Sequence, residues 1–212
     1  RCPRRRRWWW RTLLEVLAKI LIMMGIVSSL GFGTAPISGF DHMISHALDF
    51  EGLTTGRRLS LHGAQVGLGA TYASVAYKFF VTDFLPERVD MTLCYPAEKE
   101  VYKEVENRLS YLNPDGKSMD EIWTHYNEKL IRWKKNRPLF ETFLNDWNKP
   151  GGPKDQISSK LIPAEQIVEA LYVSGNPTLP EDLIPSISPE QMRFAFLNAR
   201  FMRNRFIIAD IM

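Results

Sequence analysis

A chain of 212 residues with 45% hydrophobic and 24% charged side chains has ordinary globular composition, enough for one large or two small domains. Its formal charge of +3 comes from residues 1–11, which hold six arginines and no acid; the other 21 basic residues meet 24 acids, a net −3, so no distributed basic surface argues for nucleic acid. Two cysteines, Cys2 and Cys94, supply neither a disulfide framework nor a cysteine-based zinc site, and a reducing, cytoplasmic setting is the default expectation.

Residues 1–11, RCPRRRRWWWR, read as a basic, tryptophan-rich leader. An arm for nucleic acid, a lipid-surface anchor and a signal n-region all fit such a composition. The leader lacks an apolar period, so it is expected to be disordered or unrelated to the fold, with one helical domain over residues 12–212. Leu13 to Leu30 is apolar but carries Glu15 and Lys19 near its start and soon meets Gly31, Gly33 and Pro36. That pattern predicts a buried amphipathic core helix rather than a membrane span, which needs about 20 predominantly apolar residues. Thr34 to Gly39 reads as a loop, and Ser38 with Asp41 resembles a capping box opening a helix that runs to about Phe50. Polar, glycine-bearing Glu51 to Arg58 reads as the next loop, and Ser60 to about Asp83 as a long apolar helix.

Pro86 to Cys94 is predicted to be a connector, followed by a helix from Pro96 to about Leu112. Asn113-Pro-Asp-Gly signals a turn, and Ser118 with Glu121 a capping box for the next helix. There Trp123, Tyr126, Leu130 and Trp133 fall on one face and read as core, while the adjacent His125 reads as structural or exposed. Arg137 to Trp147 and Pro163 to Val173 are further helices, separated by a Pro/Gly loop that lacks phosphate-loop spacing. Ser188-Pro-Glu-Gln191 joins a capping box to a proline at the first helical position and opens the last helix, Pro189 to about Asn204. Its Arg193, Arg200, Arg203 and Arg205 read as a solvated face. The result is an all-α fold of seven or eight helices.

Three of the four histidines fall within Ser38 to Leu68. His42 and His46 are i and i+4, which puts them on one helical face. His62 follows 20 residues after His42, a spacing that suits two antiparallel helices returning it beside His42. Gly63, Gly67 and Gly69 would let those helices approach closely. Imidazole is the commonest metal ligand and the commonest general acid or base near neutral pH, so the cluster is a candidate for either task.

The stretch Pro36-Ile-Ser-Gly-Phe-Asp-His42-Met-Ile-Ser-His46-Ala-Leu-Asp, then Leu61-His62-Gly-Ala-Gln-Val-Gly, resembles the iron-alcohol-dehydrogenase and dehydroquinate-synthase-like superfamily. It is most similar to the sn-glycerol-1-phosphate dehydrogenase branch, with its P-x-S-G-x-E-H-x-x-S-H and H-G-x-x-V-G motifs. Asp41 stands where that branch often has Glu. The tail from Ala199 through Arg203 to Asp210 also resembles that branch, and the likeness runs from about Leu13 to the end.

The resemblance implies the helical C-terminal domain of such an enzyme, without its nucleotide-binding α/β domain. It implies that His42 and His62 ligate a divalent metal (zinc first, iron or nickel as alternatives) and that His46 relays protons or orders the substrate. It further implies NAD or NADP, a small phosphorylated polyol or ketone as substrate, and a chain inactive by itself because the upstream acidic ligand and the nucleotide loop have no counterpart here. Neither a membrane span nor a nucleic-acid partner is expected; homo-oligomers fit the resemblance. Two other readings fit the residues: another polyol dehydrogenase or dehydroquinate-synthase-like lyase, and a non-catalytic helical interaction module.

Overall fold

The computed structural model describes residues 4–31, 38–109 and 117–211. Among these, all regular structure is helical: α1 Arg4–Leu30, α2 Phe40–Thr55, α3 His62–Asp83, α4 Glu98–Leu109, α5 Lys117–Lys135, α6 Arg137–Asp146, α7 Pro153–Ser158, α8 Ala164–Val173 and α9 Pro189–Asn198. The all-α expectation therefore holds for the described residues. The chain divides into two compact units, one ending at Gly39 and one running from Phe40 to Met212.

The first unit differs from the sequence reading in the burial of its helix. α1 begins at Arg4, inside the basic leader, and continues without a break at residue 11. The expected burial is absent: Leu14, Leu21, Ile22 and Met23 are all exposed. Apolar side chains surround this helix instead of forming a stripe, so no single face is selected for a core. Residues Arg11–Leu30 are long and apolar enough to cross a membrane, the one such helix among the described residues. The expected loop at Pro36 lies outside the described residues.

The second unit is built on α2. Phe40, Met43, Ile44, Ala47 and Leu48 sit at i, i+3, i+4, i+7 and i+8, and all five are buried. That stripe packs chiefly against α3 and α9. α3 contributes Leu68, Ala73, Ala76 and Phe80 to the same core, and Gly69 brings its backbone against α2. A Cβ at residue 69 would lie 2.8 Å from the Asp41 carbonyl oxygen. α4 and α5 pair through Val101, Val105 and Leu109 on one side and Met119, Ile122, Tyr126 and Leu130 on the other. Within the expected aromatic stripe, Tyr126 and Leu130 are buried, while Trp123 and Trp133 are half-buried.

α2 extends five residues beyond the expected end at Phe50. Glu51, assigned above to a loop, is buried instead. Its carboxylate accepts from Arg57 Nε at 2.9 Å and Nη2 at 2.7 Å, while Gln191 Nε2 donates to the other oxygen at 2.8 Å. These charge-assisted bonds offset the desolvation of Glu51, and polarity alone does not reveal them. Gly56, at φ +72°, then turns the chain out of the helix.

The capping box at Ser188 forms as expected: Gln191 N–H donates to Ser188 Oγ at 3.2 Å, and Ser188 N–H donates to Gln191 Oε1 at 2.9 Å. α9 ends at Asn198 rather than Asn204, passing into a 3₁₀ turn over Ala199–Phe201. α5 starts before Ser118, and Pro153–Ser158 is a short helix where a loop was expected. The Asn113 turn lies outside the described residues.

Candidate metal centre

Burial of the apolar stripe of α2 turns His42, His46 and Asp49, at i, i+4 and i+7, toward the half-exposed side of the same helix. His62 is the first residue of α3. Its position is held from both sides: Ser60 Oγ donates to the Pro185 carbonyl at 2.8 Å, and the buried Gln65 lies one turn along. The ring centres of His42 and His62 lie 5.7 Å apart, and those of His46 and His62 lie 5.6 Å apart. Two imidazoles sharing one tetrahedral zinc have ring centres about 5–6 Å apart, given Zn–N bonds of about 2.0–2.1 Å.

The hydrogen bonds around His62 favour one tautomer. Ser45 Oγ is 2.6 Å from Gln65 Oε1 and 2.9 Å from His62 Nδ1. Gln65 Nε2 points at the Ser60 carbonyl at 3.5 Å. Reversing the amide would set its oxygen against that carbonyl, so Gln65 presents an acceptor to Ser45. With the Ser45 proton donated to Gln65, Ser45 is placed to accept from His62 Nδ1–H. Asp49 Oδ2, 3.5 Å from the same nitrogen, favours the same proton position. His62 Nε2 is left with its lone pair. His42 is oriented similarly, with Nδ1 3.3 Å from Asp41 Oδ2. Metal-ligating histidines commonly donate their second N–H to such a partner.

The ring spacing of His42 and His62 is that of two imidazoles able to share one ion. No third ligand joins them: among the described residues, no group of three or more His, Cys, Asp or Glu side chains is arranged to hold an ion. His46 is set apart electrostatically. Burial, and then the positive charge of Arg203, hold its pKa down to about 4. It is neutral near pH 7, with one N–H to donate and one lone pair to accept, and it is not a stored acid.

His125 is half-buried on α5. It lines a cavity together with His46, Asp49, Glu121 and Arg203. The reading of His125 as structural or exposed did not anticipate this neighbourhood: α5 packs its buried face beside the chain end, which brings a residue 79 positions from His46 to the same opening. Arg203 lies in that cavity rather than on a purely solvated face, while Arg200 pairs with Glu104 at 2.5 Å. Sequence reasoning also passed over Ser45 and Gln65. The signal was present, since Ser45 is three residues after His42 and Gln65 three after His62, each on the histidine's own helical face.

A glycerol-1-phosphate dehydrogenase [NAD(P)+] from Bacillus licheniformis is 31% identical over 108 residues, covering 51% of this chain and 24% of that protein. One from Korarchaeum cryptofilum is 41% identical over 63 residues, covering 28% of this chain and 20% of that protein. The matched region spans a fifth to a quarter of the length of these curated relatives. No family model and no solved structure matches the chain. The chain has a distant relation to glycerol-1-phosphate dehydrogenases.

Proposed function

We propose that this chain carries the metal-holding helices of a metal- and NAD(P)-dependent dehydrogenase that interconverts dihydroxyacetone phosphate and sn-glycerol 1-phosphate, the C-terminal helical part of a dehydroquinate-synthase-like enzyme. The observation that carries the reading is the Gln65–Ser45–His62 relay, which leaves the His62 Nε2 lone pair available 5.7 Å, centre to centre, from the His42 ring. A core packing histidine has no need of a buried relay that selects one tautomer. The name shared by both relatives supports the substrate class and the nicotinamide.

In this reading His42 and His62 hold a divalent ion, zinc by preference for nitrogen donors at tetrahedral geometry, with iron or nickel also accommodated by imidazole. When bound, the ion supplies Lewis-acid polarisation of a substrate carbonyl. Neutral His46 hydrogen-bonds the substrate oxygen and orders it. Asp41 and Asp49 keep the two ligand rings oriented through their Nδ1 atoms. Two nitrogen ligands do not complete a catalytic shell, and hydride transfer needs a positioned nicotinamide. The isolated chain is therefore expected to show no turnover.

Grafting the helices that carry His42 and His62 into the Bacillus licheniformis enzyme tests the reading. The chimera should oxidise NADH or NADPH with dihydroxyacetone phosphate, and lose that activity on His62→Ala. A folded chimera that binds zinc yet turns over no faster than its His62→Ala form would contradict it.

A further inference from the structure

The cavity beside His46 holds two hydrogen-bond donors that the proposed function leaves unused. It measures about 460 Å³ and lies between α2, α5 and the segment after α9. Nδ1 of His125 is buried with no hydrogen-bond partner. A buried N–H left without a partner is rarer than an unpaired acceptor, so the His125 proton belongs on Nε2. With Nδ1 on the buried edge, the accessible edge of this half-buried ring carries Nε2–H. Arg203 approaches Glu121 at only 3.9 Å, with the two side chains 41% and 73% exposed. So long and solvated a pair is held weakly. The planar fork of arginine matches a phosphate in two parallel hydrogen bonds, and an incoming phosphate can displace Glu121. The other carboxylate at the cavity, Asp49, is directed to His62 Nδ1 at 3.5 Å.

We propose that Arg203 and His125 form an anion subsite that grips the phosphate of a small phosphate monoester while the carbonyl or hydroxyl end of the same molecule lies against His46. The proposal rests on the function given above and assigns the substrate's charged end to residues of α5 and the chain's end. Arg203 provides the charge and a bidentate contact, His125 a single N–H, and Glu121 competes with the ligand for Arg203.

The test is calorimetric titration of the zinc-free full chain with inorganic phosphate and with sn-glycerol 1-phosphate, glycerol serving as the uncharged control. Both anions should bind and glycerol should not. Arg203→Gln should weaken binding by about tenfold, as expected for losing a charge-assisted pair. His125→Ala should weaken it less, and Glu121→Gln should strengthen it. A gain of affinity in Glu121→Gln cannot arise from misfolding. Unchanged affinity in folded Arg203→Gln and Glu121→Gln overturns the subsite, as does glycerol binding as well as its phosphate. Zinc binding that depends on His62 without any phosphate binding overturns the subsite alone. Phosphate binding that depends on Arg203 without zinc binding supports the subsite and overturns the metal reading alone.

Discussion

Gly69→Ala and Gly63→Ala should shift stability in opposite directions, although both replace a glycine of α3 by alanine. At residue 69 the new Cβ would meet the Asp41 carbonyl oxygen at 2.8 Å, its Cα at 3.3 Å and its carbonyl carbon at 3.4 Å. All three atoms are backbone, so no side chain can swing away and one helix must move by about half an ångström. Overpacking of that kind costs about 1–3 kcal/mol, and the better helix propensity of alanine returns about 1 kcal/mol. The net expectation is a loss of up to about 2 kcal/mol. At residue 63 no atom lies within 4 Å of the added Cβ, so the variant should gain up to about 1 kcal/mol. Urea unfolding at matched m-values resolves a difference of this size. Because the displaced backbone belongs to Asp41, next to His42, Gly69→Ala should also weaken divalent-metal binding while Gly63→Ala does not. Equal stability of the two variants would refute the claim that Gly69 sets the α2–α3 approach.

Lys129 and Asp210 form a buried pair at 2.8 Å, with side chains 4% and 6% exposed. Burial lowers the Lys129 pKa and raises that of Asp210. Lys129→Met alone or Asp210→Asn alone should cost about 3–5 kcal/mol, because each strands a buried charge. The double variant should recover at least about 1 kcal/mol of the summed loss, which a double-mutant cycle in urea measures. Ser188→Ala removes the acceptor that caps α9 and should cost about 1 kcal/mol in the same assay. Ser45→Ala should reduce zinc affinity about tenfold by releasing the His62 tautomer, with little change in the fold when followed by circular dichroism.

The helices were legible where apolar residues recur on one face, as in α2 and α5, and where a capping box stands in the sequence, as at Ser188. The i and i+4 spacing of His42 and His46 placed them on one helical face, and the 20-residue return brought His62 beside them, at the distances seen here. Two kinds of feature were not legible. One is a polar residue buried by partners distant in sequence: Glu51 looked like loop until Arg57 and Gln191 closed on it. The other is a cavity assembled from separate elements: nothing local to His125 or Arg203 signals that they share an opening with His46. α1 fails for a third reason, since an apolar segment without a stripe carries no information about which face is covered.

X-ray absorption at the zinc edge, on the purified chain loaded with one equivalent of zinc, measures most directly whether His42 and His62 share an ion. The account predicts imidazole scattering with nitrogens at about 2.0–2.1 Å, lost in His42→Ala and in His62→Ala and retained in His46→Ala. A spectrum unchanged in the His42→Ala/His62→Ala double variant, or one showing a sulfur shell at about 2.3 Å from Cys94, would contradict it.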